Sequence, residues 1–187
     1  SPGDPPVPGV SIVDAETDDD LDSLVDAYRA TAPLWCGSSG LANALSRRTG
    51  RSGARRVGPI ETPVLGIFGS NHDVLVDQLA AIRSCVIAIG NVETTFAEIE
   101  SRLTHRGITC LTFVHPDGTS RIQARATIEQ RARQLLDRVA KPATLVVSGG
   151  ETLRSVVGVL GAEAIDVHGE VETGVPTSTL RGGRWDG

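Results

Sequence analysis

The sequence predicts an α/β fold: a mostly parallel sheet with helices on both faces, a three-layer α/β/α arrangement. Three observations predict it. Short apolar runs alternate along the chain with longer amphipathic segments, the pattern of strands joined by crossover helices. Hydrophobic residues make up 40% of the chain but only six are aromatic, so the core must be built from Val, Leu, Ile and Ala, as in buried parallel strands. With 187 residues and 22% charge, the chain suits one folded domain with its own core. Residues 1–9 are proline-rich and polar and read as a flexible leader to a domain over 10–187.

The elements follow in order. Val10 to Val13 reads as a strand. Thr17 is a helix cap, Asp18, Asp19 and Asp20 sit in the positive first turn, and Leu21, Leu24, Val25 and Tyr28 continue with helical spacing to about residue 30. Three neighbouring aspartates also raise a metal cluster as the sharper alternative to helix-start acids. Pro33 to Cys36 reads as a short strand and Leu41 to Arg48 as a helix. An arginine-rich polar loop covers 49–62. Val64 to Phe68 is a strand, and Asp73 to Arg83 a helix with Leu75, Leu79 and Ile82 on one face. Cys85 to Ile89 is a strand; Val92, Phe96, Ile99 and Leu103 mark the next helix. Ile108 to Val114 is a strand ended by the turn His115-Pro116-Asp117-Gly118. Ile128, Ala132, Leu135, Leu136 and Val139 mark a long helix. Ala143 to Val147 is a strand, followed by a helix with Leu153, Val156, Val157 and Leu160 inward. One weak final strand is expected over Ala164 to Val167 or Glu170 to Val175.

Charge and composition exclude several functions. The net charge of −5 argues against a general polyanion binder, and the scattered aromatics argue against base stacking, so no nucleic-acid partner is expected. No apolar run is long enough to span a membrane. The three cysteines, Cys36, Cys85 and Cys110, cannot all pair and read as small buried residues in a reducing cytoplasm. The histidines show no metal-ligand spacing.

Right-handed crossovers bring every strand-to-helix turn to one sheet edge, where ligands bind in such folds. Three of those turns are glycine-rich: Gly37-Ser38-Ser39-Gly40, Gly69-Ser70-Asn71-His72 and Ser148-Gly149-Gly150-Glu151-Thr152. Glycine lets backbone amides approach an anion closely, and a helix start adds positive potential. Tight turns use glycine for backbone reasons as well. There is no Walker A lysine, no G-x-G-x-x-G after a strand and no G-x-S-x-G elbow. A phosphate held here would rest on amides and hydroxyls, with arginine or magnesium as counter-charge. Glu151 is either a magnesium ligand or a helix-start acid; His72 is either a ligand donor or a turn histidine. Of 18 basic residues the only lysine is Lys141, placed before Pro142 at the opposite edge.

These turns, in this order, resemble the C-terminal, nucleotide-binding domain of the four-carbon acid sugar kinases. The matching stretches are Val13-Asp14-Ala15-Glu16-Thr17 with Asp20-Leu21; Leu34 to Ala42; Gly69-Ser70 with Gln78; Ser148 to Thr152; and Gly169-Glu170-Val171 with Gly174-Val175-Pro176. The resemblance implies a cytoplasmic, ATP- and magnesium-dependent kinase of threonate-, erythronate- or 3-oxo-tetronate-like acids. It implies that Ser38, Gly149, Gly150, Glu151 and Thr152 contact the nucleotide. The family pattern also has an N-terminal domain that binds the sugar acid, and a later Lys-x-Gly-Gly-Phe-Gly type segment; neither stands in these 187 residues. The expectation is therefore no turnover without that N-terminal domain and C-terminal tail, the acid being bound by the domain or a partner subunit, with homo-oligomerisation open. A nucleotide-binding module with a regulatory or scaffold role and no turnover is the alternative.

Overall fold

The computed structural model describes residues 9–49, 59–69, 72–114, 118–172 and 174–187. The leader 1–8, most of the arginine-rich loop, Ser70, Asn71 and the turn residues His115 to Asp117 lie outside the described residues. The chain divides into two compact units, residues 1–54 and 55–187.

The first unit is helical. Helix α1 (Asp18–Ala27) starts in a capping box: the Thr17 hydroxyl accepts from the Asp20 amide, and the Asp20 carboxylate accepts from the Thr17 amide. The Asp20 carboxylate also accepts from the Thr17 hydroxyl at 2.8 Å and from the Glu16 amide at 3.1 Å. The aspartates are thus helix-start acids. Helix α2 (Ser39–Arg48) packs on α1 through Val25, Leu41 and Ala44. The oppositely charged stretches pair across the two helices: Arg47 to Asp22 at 2.8 Å and Arg48 to Asp26 at 2.6 Å.

Two expected strands are absent from this unit. Val10 and Ile12 are 98% and 94% exposed, and residues 33–36 form an irregular segment with Leu34 fully exposed. β propensity forms a strand only where a partner completes the ladder, and the described residues of this unit hold no other strand. Ser38 therefore follows irregular backbone, not a strand.

Hydrogen bonds from Thr17 and the Glu16 amide hold the Asp20 carboxyl below the ordinary value of 3.8. A depressed carboxyl stabilises the fold above its unfolded pKa and loses that contribution as pH falls through the folded one. Asp20→Asn should therefore weaken α1 at neutral pH, and the difference from wild type should shrink below pH 3.8. Circular dichroism across that range checks it; a difference independent of pH would contradict it.

The second unit is the α/β body. Its parallel sheet has the order β2-β3-β1-β4, from β1 (Val64–Phe68), β2 (Val86–Ile89), β3 (Ile108–Phe113) and β4 (Thr144–Ser148). Helices α3 (Asp73–Ala81), α4 (Val92–Arg106), α5 (Arg121–Leu136) and α6 (Gly150–Leu160) alternate with the strands. The path from β1 to β2 runs opposite in direction to those from β2 to β3 and β3 to β4. Right-handed crossovers then put α3 on one face and α4 and α5 on the other. The core follows: Leu65, Ile67, Ile89 and Leu111 from the strands meet Ile99, Ala132, Leu135 and Val156 from α4, α5 and α6. Helix α3 buries no residue fully; Leu75 and Leu79 are half-buried and Ile82 is exposed.

The end of the chain differs from the single weak strand expected. Residues Ala164–Glu172 (β5) and Val175–Arg181 (β6) pair as an antiparallel ribbon with two register shifts. The segment beyond β6 folds back so that Trp185, 7% exposed, enters the main core. Cys110 is buried and Cys85 half-buried, but Cys36 is exposed, against the expectation of three buried thiols.

Candidate functional site

Strands β1 and β4 are parallel neighbours, so their carboxyl ends, Phe68 and Ser148, lie side by side. The chain leaves β1 towards α3 on one face, and β4 towards α6, which packs on α5 on the other. Such a divergence beyond the carboxyl ends is the place where open α/β sheets bind ligands. Two of the three glycine turns therefore meet at one point.

Their contact is close. The Gly69 amide reaches the Ser148 carbonyl at 3.5 Å. A Cβ on Gly69 would overlap Thr152 Oγ1 and stand 3.0 Å from Ile128 Cδ1 of α5. Gly149 caps α6 with φ +100°, a conformation that L side chains rarely adopt. Gly150 has open space around the position of a side chain. The two adjacent glycines thus serve different ends: Gly149 makes the turn, and Gly150 keeps the surface bare.

Helix starts leave backbone N–H groups without intrahelical acceptors, and side-chain caps normally answer them. Thr17 caps α1, His72 caps α3, Asn91 caps α4, and Ser120 with Gln123 forms a capping box on α5. Among the described α-helices, only α2 and α6 lack such a bond. These are the helices that open with Ser38 and with Gly149-Gly150. At α6 the amides of Gly150, Glu151 and Thr152 have no intrahelical acceptor, since the Leu153 amide is the first to close the helix, on Gly149 O.

The side chains fall into two groups. Glu151 is exposed, and its carboxylate meets Arg125 Nε of α5 at 3.3 Å. Thr152 is 2% exposed, with its hydroxyl against Gly69 and Gly149, so its side chain packs the two turns together. Ser38, in the first unit, is exposed and caps nothing with its hydroxyl. His72 is engaged as the α3 cap, with its Nδ1 accepting from the Val74 amide at 3.4 Å. Lys141 donates to the carbonyls of Asp186 and Gly187 at 2.7 and 3.0 Å, in the segment between α5 and β4 at the opposite sheet edge.

Arg125 and the Gly69–Thr152 contact were not foreseen from sequence. Arg125 had no distinguishing neighbour along the chain; only the packing of α5 on α6 brings it to the turn. The described residues hold no group of three or more His, Cys, Asp or Glu side chains placed to bind a metal. Magnesium commonly takes one or two protein carboxylates and completes its shell with water and substrate phosphates. The exposed carboxylate of Glu151 fits that mode. No described helix is long and apolar enough to cross a membrane.

Comparison with known proteins bears on this edge directly. The family described as "nucleotide-binding C-terminal domain" matches residues 67–185, which include both adjoining glycine turns and leave Ser38 outside. A 3-oxo-tetronate kinase of Cupriavidus necator is 28% identical over 195 residues, covering 90% of this chain and 45% of the kinase. A Bordetella bronchiseptica protein of the DUF1537 family, crystallised with citrate as a domain-swapped dimer, is similar with a TM-score of 0.54 and 26% identity. The similarity covers 91% of this chain and 45% of that one. A DUF1537 protein of Haemophilus influenzae shares the fold, with a TM-score of 0.55, 21% identity and coverage of 89% and 46%. The chain spans about half the length of these relatives.

Proposed function

Because the chain belongs to the nucleotide-binding C-terminal domain family, we propose that it binds ATP with magnesium, as the nucleotide-binding part of a four-carbon acid sugar kinase. The observation that carries the reading is the bare start of α6 at the carboxyl ends of β1 and β4, within the matched residues. The amides of Gly150, Glu151 and Thr152 would receive phosphate oxygens, in the field of the helix start. Gly149 supplies the turn that presents them, and Thr152 locks that turn against Gly69. Glu151 would hold magnesium through its carboxylate or through bound water, and the ion would neutralise charge on the phosphates. Ser38 retains a proposed role as a nucleotide contact through its hydroxyl.

The acid acceptor would be threonate-, erythronate- or 3-oxo-tetronate-like, in keeping with the kinase relative. An N-terminal domain or partner subunit would bind it. A cytoplasmic setting and self-association belong to the same proposal, the latter supported by the dimeric Bordetella relative. A nucleotide-binding module without turnover is the second reading. It is favoured by the position of Lys141, whose ammonium is held at the opposite edge from the glycine turns.

The test is a thermal shift. ATP with magnesium should raise the melting temperature, since a ligand at 100 times its Kd stabilises by about 2.7 kcal/mol. No shift at millimolar ATP would overturn the reading. Ser38→Ala should weaken binding by roughly 1 kcal/mol, the worth of one hydrogen bond; unchanged affinity would remove Ser38 from the nucleotide contacts. Adding a homologous N-terminal half with threonate or erythronate separates the two readings: phosphorylated acid excludes the module without turnover.

A further inference from the structure

We propose that Arg125 is the phosphate-binding cation of this site, held on Glu151 when no nucleotide is present. The inference rests on the nucleotide reading above and deepens it. Phosphoryl groups at a helix start need a counter-charge. The glycine turn carries no lysine, and the chain's only lysine is bound to backbone carbonyls at the other edge of the sheet. Among the described residues, an arginine on a neighbouring element can supply it.

Helix α5 provides it on a fixed support. Ile128 is buried and would be met at 3.0 Å by a Cβ on Gly69, so α5 runs directly behind the turns. Arg131 donates to the carbonyls of Ile89 and Val114, each at 2.9 Å, and pins the helix to the ends of β2 and β3. Arg131 is thereby committed to the scaffold. Arg125 lies nearly two turns earlier on the same helix, and its guanidinium reaches the Glu151 carboxylate at 3.3 Å.

The Arg125–Glu151 pair is weak by construction. The two side chains are 42% and 64% exposed, and pairs of that kind contribute about 0–1 kcal/mol. A phosphate offers the guanidinium two charge-assisted hydrogen bonds instead of one long contact. Exchanging Glu151 for phosphate therefore costs little and leaves the carboxylate available to magnesium. Without nucleotide, the guanidinium and the carboxylate answer each other's charge.

The experiment measures ATP and adenosine binding by calorimetry in the 187-residue chain, in EDTA so that no metal contributes. The variants are Arg125→Gln, Arg125→Lys and Arg154→Gln, the last being an exposed arginine of α6 that controls for long-range charge. Arg125→Gln should weaken ATP about tenfold, the order of one charge-assisted contact. It should leave adenosine binding unchanged, because adenosine has no phosphate. Arg125→Lys should recover part of the loss, and Arg154→Gln should change ATP affinity less than threefold. ATP affinity within twofold of wild type in Arg125→Gln, or equal losses in Arg125→Gln and Arg154→Gln, would overturn the assignment. Wild-type protein that binds ATP only when magnesium is restored would give the counter-charge to the metal and overturn the assignment, whereas protein that binds ATP in neither condition would overturn the nucleotide reading itself, so the two failures are distinguishable.

Discussion

Trp185→Ala is expected to remove about 3–5 kcal/mol of stability, the range for truncating a large aromatic in a packed core. Trp185 is 7% exposed and belongs to the cluster that joins the sheet to α4, α5 and α6. It gets there because the chain reverses at Gly182 and Gly183, with φ +76° and +78°. The Arg184 amide then bonds to Leu160 O at 2.9 Å, and the Gly187 amide to Leu180 O at 2.8 Å. Arg184 also pairs with Asp137 at 2.8 Å. Removing the indole leaves a cavity and releases the segment that ties β6 to the end of α6. Native stabilities lie near 5–15 kcal/mol, so the loss is a large part of the total. Urea unfolding of the two proteins checks it, and a difference under 1 kcal/mol would show that the indole is not a core residue.

Gly150→Leu is expected to abolish measurable ATP binding while leaving the fold intact. A Cβ at Gly150 meets nothing within 4 Å, and Gly150 lies in the first turn of α6 without a left-handed φ. Leucine is a good helix former, so folding has no reason to object. The new side chain would stand over the amides proposed to receive phosphate. Gly149→Ala should behave differently. Its φ of +100° makes any side chain strained, at a cost on the order of 1–3 kcal/mol. Melting temperature and calorimetric ATP affinity, measured on both variants, separate the roles: the first loses binding without stability, the second loses stability. Gly150→Leu with wild-type ATP affinity would take the α6 start out of the site.

The second unit was largely readable from sequence because its signals are local. The Val64 to Phe68 strand is found at its expected bounds. The strands at Val86, Ile108 and Thr144 and the helices of α4, α5 and α6 fall within a few residues of expectation, since each is bounded by glycine, proline or a capping residue. The family resemblance drawn from motifs in register agrees with the match over residues 67–185. Where sequence reasoning failed, the deciding term was not local. The apolar run at Val10 had no partner strand. The tail at Ala164 became two strands because Val175 to Arg181 could pair back on it. Arg125 could not be singled out, because its significance depends on a helix that packs beside the turn.

By itself, then, the sequence determined the alternation of strands and helices, the glycine turns, and the family to which their order belongs. These depend on backbone preferences and apolar spacing, which act over a few residues. Only the tertiary structure decided the rest. It brought the Gly69 and Gly149 turns into contact through the pairing of β1 with β4. It left α2 and α6 as the described α-helices without a side-chain cap, and it set Arg125 against Glu151. It buried Trp185 and tied Lys141 to the segment beside it. Strand order, crossover hand and packing create proximity between residues far apart in the chain, and no local pattern encodes it.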